Sequence, residues 1–329
     1  DKKIIAKESR PTQAEEGPVA IMDLMAQCVT DLMRANGLEM SQALAAGFGA
    51  PGPMNWQTGI VFEPPNLPGW KNVPLAEEMQ KRLQIPCYVD NDANVACYGE
   101  YWLGAGQGAE SIVVFTLGTG VGGGIVVFGQ LLRGIDGTAA ELGHITVQRD
   151  GRLCGCGSRG CLEAYASVTG MKRTALEGWG GAETSLKQLC GNDPEALTGE
   201  VIFKAAKAGD AYAHHVFRET AIWLGVGAAS MVNALNPERI ILCGGMIAAG
   251  DMLLRWSAAD RAGRLAQRYA AAQSDTALAE VYARWLIATG DPRKALSVCK
   301  RALSADPQSP FLCAATLDAG AAAELWGPL

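Results

Sequence analysis

Residues 85–104 read IPCYVDNDANVACYGEYWLG, and this stretch decides the fold class. Its apolar first half predicts a β-strand. The acidic and amide residues that follow predict a turn at Asp90–Asp92 and a helix from about Ala93. A strand that leads into a helix is the repeating pattern of an α/β fold.

The segments on either side continue this alternation. Residues 18–36 carry apolar side chains at helical spacing, and LAAGFGAPGP (44–53) predicts a short strand that enters a Gly/Pro loop. Helices are also predicted for 74–83 and 211–235, and a turn, a strand and a glycine pair for 236–250. We therefore expect an α/β fold.

Composition and net charge argue against several classes of function. The chain has 329 residues, enough for two domains, and its 49% hydrophobic residues can bury a sizeable core. A net charge of −6 without a basic run argues against nucleic acid or an anionic membrane as the main partner. No apolar stretch reaches the roughly 18 residues of a membrane span.

Seven of the ten cysteines are scattered through apolar segments, and most are expected to be small core residues of a cytosolic protein. They are Cys28, Cys87, Cys97, Cys190, Cys243, Cys299 and Cys313.

Residues 111–130, SIVVFTLGTGVGGGIVVFGQ, predict a hairpin whose loop is dense in glycine. The strands are expected at Ile112–Thr116 and Ile125–Phe128. Gly118–Gly123 formally fits G-x-G-x-x-G, but a strand follows it where a dinucleotide site needs a helix. Backbone N–H groups and the hydroxyls of Thr116 and Thr119 would suit a phosphate. Five glycines in seven residues favour this function over a plain flexible turn.

Residues 141–163, ELGHITVQRDGRLCGCGSRGCLE, group three cysteines and one histidine. Glycines between the cysteines allow the chain to turn tightly around a common point. His144, Cys154, Cys156 and Cys161 form a Cys3His set that suits structural zinc. A redox function is less favoured, because no Cys-x-x-Cys spacing is present.

Asn91 and Asp92 have two possible roles. Such a pair after a strand and before a helix is commonly a helix N-cap. Alternatively, the Asp92 carboxylate would serve as a general base toward a substrate hydroxyl, with Asn91 bonding neighbouring hydroxyls.

Four motifs together, VDNDAN, LGTGVGGGI, ELGH and CGCGSRGCLE, resemble the ROK family of sugar kinases and sugar-responsive repressors. GFGAPGP and NLPGW are also similar to that family's loops, and the resemblance spans about residues 5–254. It implies an actin-like ATPase (ribonuclease H-like) fold of two α/β domains around a cleft, and a cytoplasmic homodimer. The implied domains are a sugar side at 1–92 and a nucleotide side with the zinc loop at 93–254. Residues 255–329 depart from the family pattern, and their own sequence predicts a divergent helical tail with one tetratricopeptide-like hairpin.

The resemblance also implies roles for individual residues. Asp92 would be the base that deprotonates the sugar 6-hydroxyl. The other implied sugar contacts are Gly52, Asn66, Asn91, Glu141, His144 and Glu163. ATP, with Mg²⁺, would be held by Thr116, Gly118, Thr119, Gly120, Gly122, Gly244 and Gly245. Zinc on the Cys3His set would hold the loop that carries the two glutamates.

The implied reaction is ATP-dependent phosphorylation of a hexose, glucose first among several sugars that these contacts would fit. The alternative is a non-catalytic sugar-sensing regulator. The chain keeps Asp92 and shows no helix-turn-helix segment and no basic patch, which favours the kinase. It also shows no Asp-x-Gly-Gly-Thr phosphate turn, so we expect it to bind sugar better than it turns over ATP.

Overall fold

The computed structural model describes residues 3–250 and Leu253. The chain divides into two compact units. Unit 1 comprises Asp1–Ile145 and Leu235–Gly245, and unit 2 comprises Thr146–Ala234 and Met246–Leu329. The divergent tail and its helical hairpin lie outside the described residues, and the division between a sugar side and a nucleotide side stays a prediction.

Unit 1 contains three sheets. A parallel pair joins β1 (Ala46–Ala50) to β5 (Cys87–Asn91). An antiparallel sheet contains β2 (Met54–Asn55), β3 (Ile60–Val61) and β4 (Val73–Pro74). The third sheet has the order β8-β7-β6-β9, with bounds Gln130–Leu131, Val121–Val127, Ile112–Leu117 and Arg239–Cys243. Strand β6 pairs antiparallel with β7 and parallel with β9.

Three helices complete unit 1: α1 (Gly17–Ala35), α2 (Leu75–Leu83) and α3 (Asp92–Leu103). In α2, the buried residues Leu75, Met79 and Leu83 recur every four positions and pack into one core with α1 and β5. A second core contains Cys97 of α3 together with Ile112 and Val114 of β6. The apolar run of β6 thus forms a central, buried strand.

Unit 2 is helical in the part that the structure describes. Its helices are α4 (Glu163–Ala166), α5 (Val168–Glu177), α6 (Leu186–Leu189), α7 (Gly199–Lys207) and α8 (Ala211–Leu235). Within residues 3–250 and Leu253, no helix combines the length and the hydropathy that crossing a bilayer requires.

Most of the predicted elements are confirmed, including the helices at 18–36, 74–83 and 211–235 and the strand after residue 44. The expected core cysteines Cys87, Cys97 and Cys190 are buried, and Cys28 and Cys243 are half-buried. Cys299 and Cys313 lie outside the described residues.

The predicted turn at Asp90–Asp92 is wrong. Strand β5 continues to Asn91, and α3 begins at Asp92 without an intervening turn. The junction needs no extra residues, because Asn91 has extended backbone angles and caps the helix with its own side chain.

The predicted glycine loop is also shorter than expected, since β7 starts at Val121 and includes Gly122–Gly124. Only Gly118–Gly120 form the turn between β6 and β7. Packing explains two of the three strand glycines. A Cβ on Gly123 would overlap the Leu142 side chain, and one on Gly124 would overlap Cys97. The high glycine count therefore reflects close packing as well as the turn.

The Asp210 carboxylate joins the start of α8 to the segment before α6. Its Oδ1 accepts from the Ala213 N–H at 2.8 Å. Its Oδ2 accepts from the Ser185 N–H at 2.6 Å, the Ser185 hydroxyl at 2.7 Å and the Thr184 hydroxyl at 2.9 Å. Burial alone would raise the pKa of Asp210, but these four bonds outweigh it and lower the pKa to about 2.

We expect Asp210→Asn to destabilise the protein by about 1–2 kcal/mol at pH 7, because the amide loses the anionic acceptor at Oδ2. The folded pKa lies below the unfolded value, so the stabilisation is complete above about pH 4 and is lost as the pH falls through about 2. Urea unfolding at pH 7 and at pH 2.5 measures both effects.

Asp193→Asn is the matched control, because Asp193 caps a short turn through one bond, to the Glu195 N–H. Equal unfolding midpoints for the Asp210 and Asp193 variants at pH 7 would contradict the assigned role of Asp210.

Candidate active site

Several of the predicted site residues directly follow the carboxyl ends of two pairs of parallel strands. Strands β1 and β5 end at Ala50 and Asn91, and β6 and β9 end at Leu117 and Cys243. In α/β folds, ligands bind outside the carboxyl ends of parallel strands. The four strand ends lie within unit 1, and they are followed by Gly52, Asp92, Gly118 and Gly244 respectively.

The junction of β5 and α3 holds the two central polar residues. The Asn91 Oδ1 accepts from the N–H groups of Ala93 at 3.0 Å and Asn94 at 3.2 Å. Its amide oxygen is thus occupied by capping, which leaves the Nδ2 group as donor. Asp92 is exposed at the first turn of α3, and its Oδ1 accepts from the Ala93 N–H at 2.8 Å. The cap holds the exposed carboxylate at a helix N-terminus, where negative charge is favourable.

Gly52 lies beside this junction. A Cβ built on Gly52 would stand 3.5 Å from the Asn91 Nδ2 atom, so the glycine backbone approaches the Asn91 amide closely. Asn66 is exposed in a turn that the Leu67 N–H closes by donating to the Pro64 carbonyl.

The start of β7, directly after the turn between β6 and β7, lies next to the start of α3. The Gly118 N–H donates to the Gly120 carbonyl at 3.0 Å, and Thr119 is exposed at the tip. A Cβ on Gly122 would come within 2.5 Å of the Thr116 hydroxyl and 3.1 Å of Ala93 Cβ. Gly122 therefore lets the start of β7 lie against α3.

Gly244, the first of the glycine pair after β9, contacts the end of β6, just before the turn between β6 and β7. Gly244 has φ +94°, and a Cβ there would overlap the Leu117 backbone at the end of β6. Gly245, next along the chain, begins a short 3-10 turn over Gly245–Ala249. Only glycine combines the positive φ with this contact.

Glu141 occupies an unusual backbone turn. It has φ −69° and ψ 65°, and the Leu142 N–H donates to the Ala140 carbonyl at 2.7 Å, as in an inverse γ-turn. Gly143 lies against the backbone of Val121, where a Cβ would overlap the carbonyl oxygen. This packing fixes the Glu141–His144 segment on the first residues of β7.

The four predicted zinc ligands converge. The ligand atoms of His144, Cys154, Cys156 and Cys161 all lie within 4.8 Å of one another. The Sγ atoms of Cys156 and Cys161 are 3.7 Å apart. Burial raises the pKa of the Cys154 thiol to about 12, whereas the Ser158 N–H lowers the pKa of Cys156. Since metal ligation needs thiolates, binding of a metal would release protons here.

Glu163 begins α4 in unit 2 and lies at the end of the cysteine loop. The distance between Cys154 Sγ and Glu163 Oε1 is 3.6 Å. The loop that leads to Glu163 thus packs against its carboxylate.

Arg152 is a residue that the sequence reasoning missed. Its guanidinium bonds both Glu177 carboxylate oxygens, at 3.1 and 2.5 Å, and the Ala164 carbonyl at 3.0 Å. It also lies over the Tyr165 ring, whose hydroxyl accepts from the Arg152 N–H at 2.7 Å. Arg152 thus joins the cysteine loop to α4 and α5 without a metal. One arginine before a cysteine motif gives no sequence signal of such a role.

A cavity of about 730 Å³ opens in unit 2, and Arg152, Tyr165, Tyr212 and His215 are among its lining residues. None of the predicted site residues lines it. The Arg152 guanidinium in its lining is already bonded to Glu177.

Comparison with known proteins matches a family model described as the ROK family to residues 1–287. The chain belongs to the ROK family. A glucokinase from Halalkalibacterium halodurans is 41% identical over 253 residues, which cover 77% of this chain and 76% of the relative. A xylose repressor from Caldicellulosiruptor bescii is 34% identical over 203 residues, 60% of this chain and 49% of the repressor.

Among solved structures, a ROK glucokinase from Streptomyces griseus in complex with glucose and AMPPNP is 35% identical, with a TM-score of 0.69. The match covers 79% of this chain and 82% of that one. The predicted fold class, α/β with an actin-like ATPase fold, is therefore confirmed for this ROK protein.

Backbone strain accompanies the Glu141 turn in this ROK chain. Ala140 has φ +66°, a left-handed conformation that costs an alanine roughly 1–2 kcal/mol.

We expect Ala140→Gly to stabilise the protein by about 0.5–1 kcal/mol, after subtracting the greater entropy that glycine loses on folding. Thermal unfolding measures the change. Ala139→Gly, at a neighbour outside the left-handed region, is the control and should lower the midpoint. A lower thermal unfolding midpoint for the Ala140 variant than for the Ala139 variant would contradict the strain assigned to Ala140.

Proposed function

We propose that this protein is an ATP-dependent hexose kinase that transfers phosphate to the 6-hydroxyl of glucose. The observation that carries the proposal is the placement of Asp92 at the start of α3, where the next residue, Ala93, packs against Gly122, two residues after the glycine turn of residues 118–120. The glucokinase relatives support glucose as substrate, and the structure complexed with AMPPNP supports ATP as donor.

In this proposal Asp92 accepts the proton of the sugar 6-hydroxyl as that oxygen attacks the phosphate. The carboxylate is exposed and is oriented by the Ala93 N–H, so a substrate can reach it. Asn91 donates from Nδ2 to a neighbouring hydroxyl, because its oxygen is occupied by the helix cap. Gly52 leaves room for the sugar on that side of the amide.

The proposed phosphate side comprises Thr116, Gly118, Thr119, Gly120 and Gly122, with Gly244 and Gly245 on the adjacent strand end. Exposed backbone N–H groups and hydroxyls in a turn suit phosphate oxygens. When bound, Mg²⁺ would neutralise charge on the ATP phosphates. The support from this chain is the contact of the Gly244 backbone with Leu117, which joins the two strand ends.

Glu141, His144, Glu163 and Asn66 are proposed sugar contacts on the strength of the family motifs. The homodimer, the cytoplasmic location and a place in glycolysis remain predictions from the family resemblance.

We expect the chain to bind glucose and to release ADP only when glucose is present. Asp92→Asn should reduce ADP release by about 100-fold or more, the range of a lost general base, and should change the glucose Kd far less. A coupled ADP assay and titration calorimetry measure these quantities for glucose, mannose, fructose, N-acetylmannosamine and N-acetylglucosamine.

Asp23→Asn, in an exposed ion pair with Arg82, is the control and should behave as wild type. Equal ADP release by the Asp92 variant and wild type would exclude Asp92 as the base. If wild type binds glucose without ADP release, a variant with an added Asp-x-Gly-Gly-Thr turn distinguishes the two functions: ADP release by this variant supports the kinase, and its absence favours the sugar-sensing regulator.

The Cys3His set is proposed to hold one structural Zn²⁺, since its four ligand atoms lie within 4.8 Å of one another and one imidazole with three thiolates is a ligand set that suits structural zinc. When bound, the metal would cross-link the chain between His144 and Cys161 and would take no part in the phosphoryl transfer. Its chemistry would be structural, holding the segments that lead to Glu141 and Glu163.

Metal analysis of the purified protein should find about one zinc per chain. Cys161→Ser should lose most of this zinc and should unfold at a lower temperature, because the buried ligand position is lost. Cys28→Ser, in α1, is the control and should retain the metal. A Cys161 variant that retains full zinc would show that these four residues are not the site.

A further inference from the structure

Arg133 connects three separate segments of unit 1. Its Nε and Nη2 atoms lie 2.9 and 2.8 Å from the Asp90 Oδ2 atom. Its guanidinium carbon lies 4.5 Å from the centre of the Trp56 ring, a cation–π contact. The Arg133 side chain is 31% exposed and that of Asp90 17%, so solvent screens this ion pair only in part.

The Asp90 carboxylate has two separate functions. Its Oδ1 accepts from the Asn91 N–H at 2.8 Å and from the Asn94 Nδ2 group at 3.2 Å. Its Oδ2 is held by Arg133. One oxygen therefore shapes the junction that carries Asn91 and Asp92, and the other connects that junction to the arginine.

Arg133 also anchors the segment that leads to Glu141. Its carbonyl accepts from the Ala139 N–H at 3.1 Å, which closes a loop over residues 133–139. Within this loop, a Cβ on Gly137 would stand 3.0 Å from Trp56 Cδ1. The loop thus lies on the same indole that the guanidinium covers.

Trp56 belongs to the third segment, the turn between β2 and β3. This turn follows Gly52 by four residues and is held by Asn55, whose Oδ1 accepts from the Gln57 and Thr58 N–H groups. All three segments that meet at Arg133 therefore continue directly into proposed sugar contacts.

We propose that Arg133 is a positioning residue that sets the separation of the Asp92 junction, the Glu141 turn and the Gly52 loop. The expected effect of Arg133 on sugar binding rests on the proposed function. Arginine suits this position because its planar group pairs with a carboxylate and stacks on an aromatic ring at once, whereas lysine offers only a point charge.

A purely stabilising ion pair would change the unfolding midpoint and leave the kinetic constants unaltered. A positioning residue affects the sugar side selectively. We therefore expect Arg133→Met to raise the glucose Kd and KM by roughly 10- to 100-fold and to leave the KM for ATP unchanged.

Asp90→Asn is the partner variant, since the amide oxygen still accepts from Asn91 and Asn94 while the charged link to Arg133 is lost. The double variant should bind glucose no more weakly than either single variant, because both remove the same connection. Arg34→Met, from an exposed arginine–aspartate pair on α1, is the control and should match wild type.

Amide hydrogen exchange without ligand tests the positioning independently of the reaction. Exchange in residues 90–94 and 133–141 should accelerate in the Arg133 variant and not in the Arg34 variant. If Arg133→Met does not fold, Arg133→Lys serves in both measurements, because it keeps the charge and loses the planar pairing.

Unchanged exchange together with an unchanged glucose Kd in a folded Arg133 variant would overturn the inference, as would a double variant whose losses multiply. Accelerated exchange in a protein whose wild type phosphorylates no hexose would support the positioning role of Arg133 and refute the proposed function.

Discussion

The structure of unit 1 depends on how closely helix α3 lies against the strands beside it. A Cβ on Gly49 of β1 would stand 3.3 Å from Asp92 Cα, and one on Gly122 of β7 would stand 3.1 Å from Ala93 Cβ. Farther along the helix, a Cβ on Gly124 would overlap Cys97. Glycines from two sheets thus allow one helix to approach at a separation that leaves little or no room for a side chain. This close approach places the first turn of α3, with Asp92, beside the ends of both parallel strand pairs.

The same glycines are an example of a feature whose role could not be predicted from the sequence alone. Regular elements follow from local periodicity, so the helices, the hairpin and the strand before Asp92 were predictable. The cysteine spacing also predicted a cluster that the structure brings together. A run of glycines does not distinguish a phosphate loop from a strand packed against a helix, because that depends on residues distant in the chain, such as Leu142 and Cys97. Contacts between distant segments, including Arg133 with Asp90, have no local signature.

Two arginines hold the polar segments in similar ways. Arg133 in unit 1 pairs with Asp90 and covers Trp56, and Arg152 in unit 2 pairs with Glu177 and covers Tyr165. In both, a guanidinium joins a carboxylate to an aromatic face and so restrains the loop that carries it. Sites for polar ligands need such support, since small displacements of the contacting groups reduce binding and catalysis. The strained Ala140 turn and the Asn91 cap restrain the remaining segments through the backbone.

In the proposed function, glucose binds at the carboxyl ends of the unit 1 strands with its 6-hydroxyl on Asp92. A crystal structure of the protein soaked with glucose tests this most directly. The account predicts a distance of about 2.6–3.2 Å between the sugar O6 atom and an Asp92 carboxylate oxygen, with Asn91 Nδ2 on a neighbouring hydroxyl. Glucose ordered in the unit 2 cavity, or at the strand ends with O6 outside hydrogen-bond reach of Asp92, would contradict it.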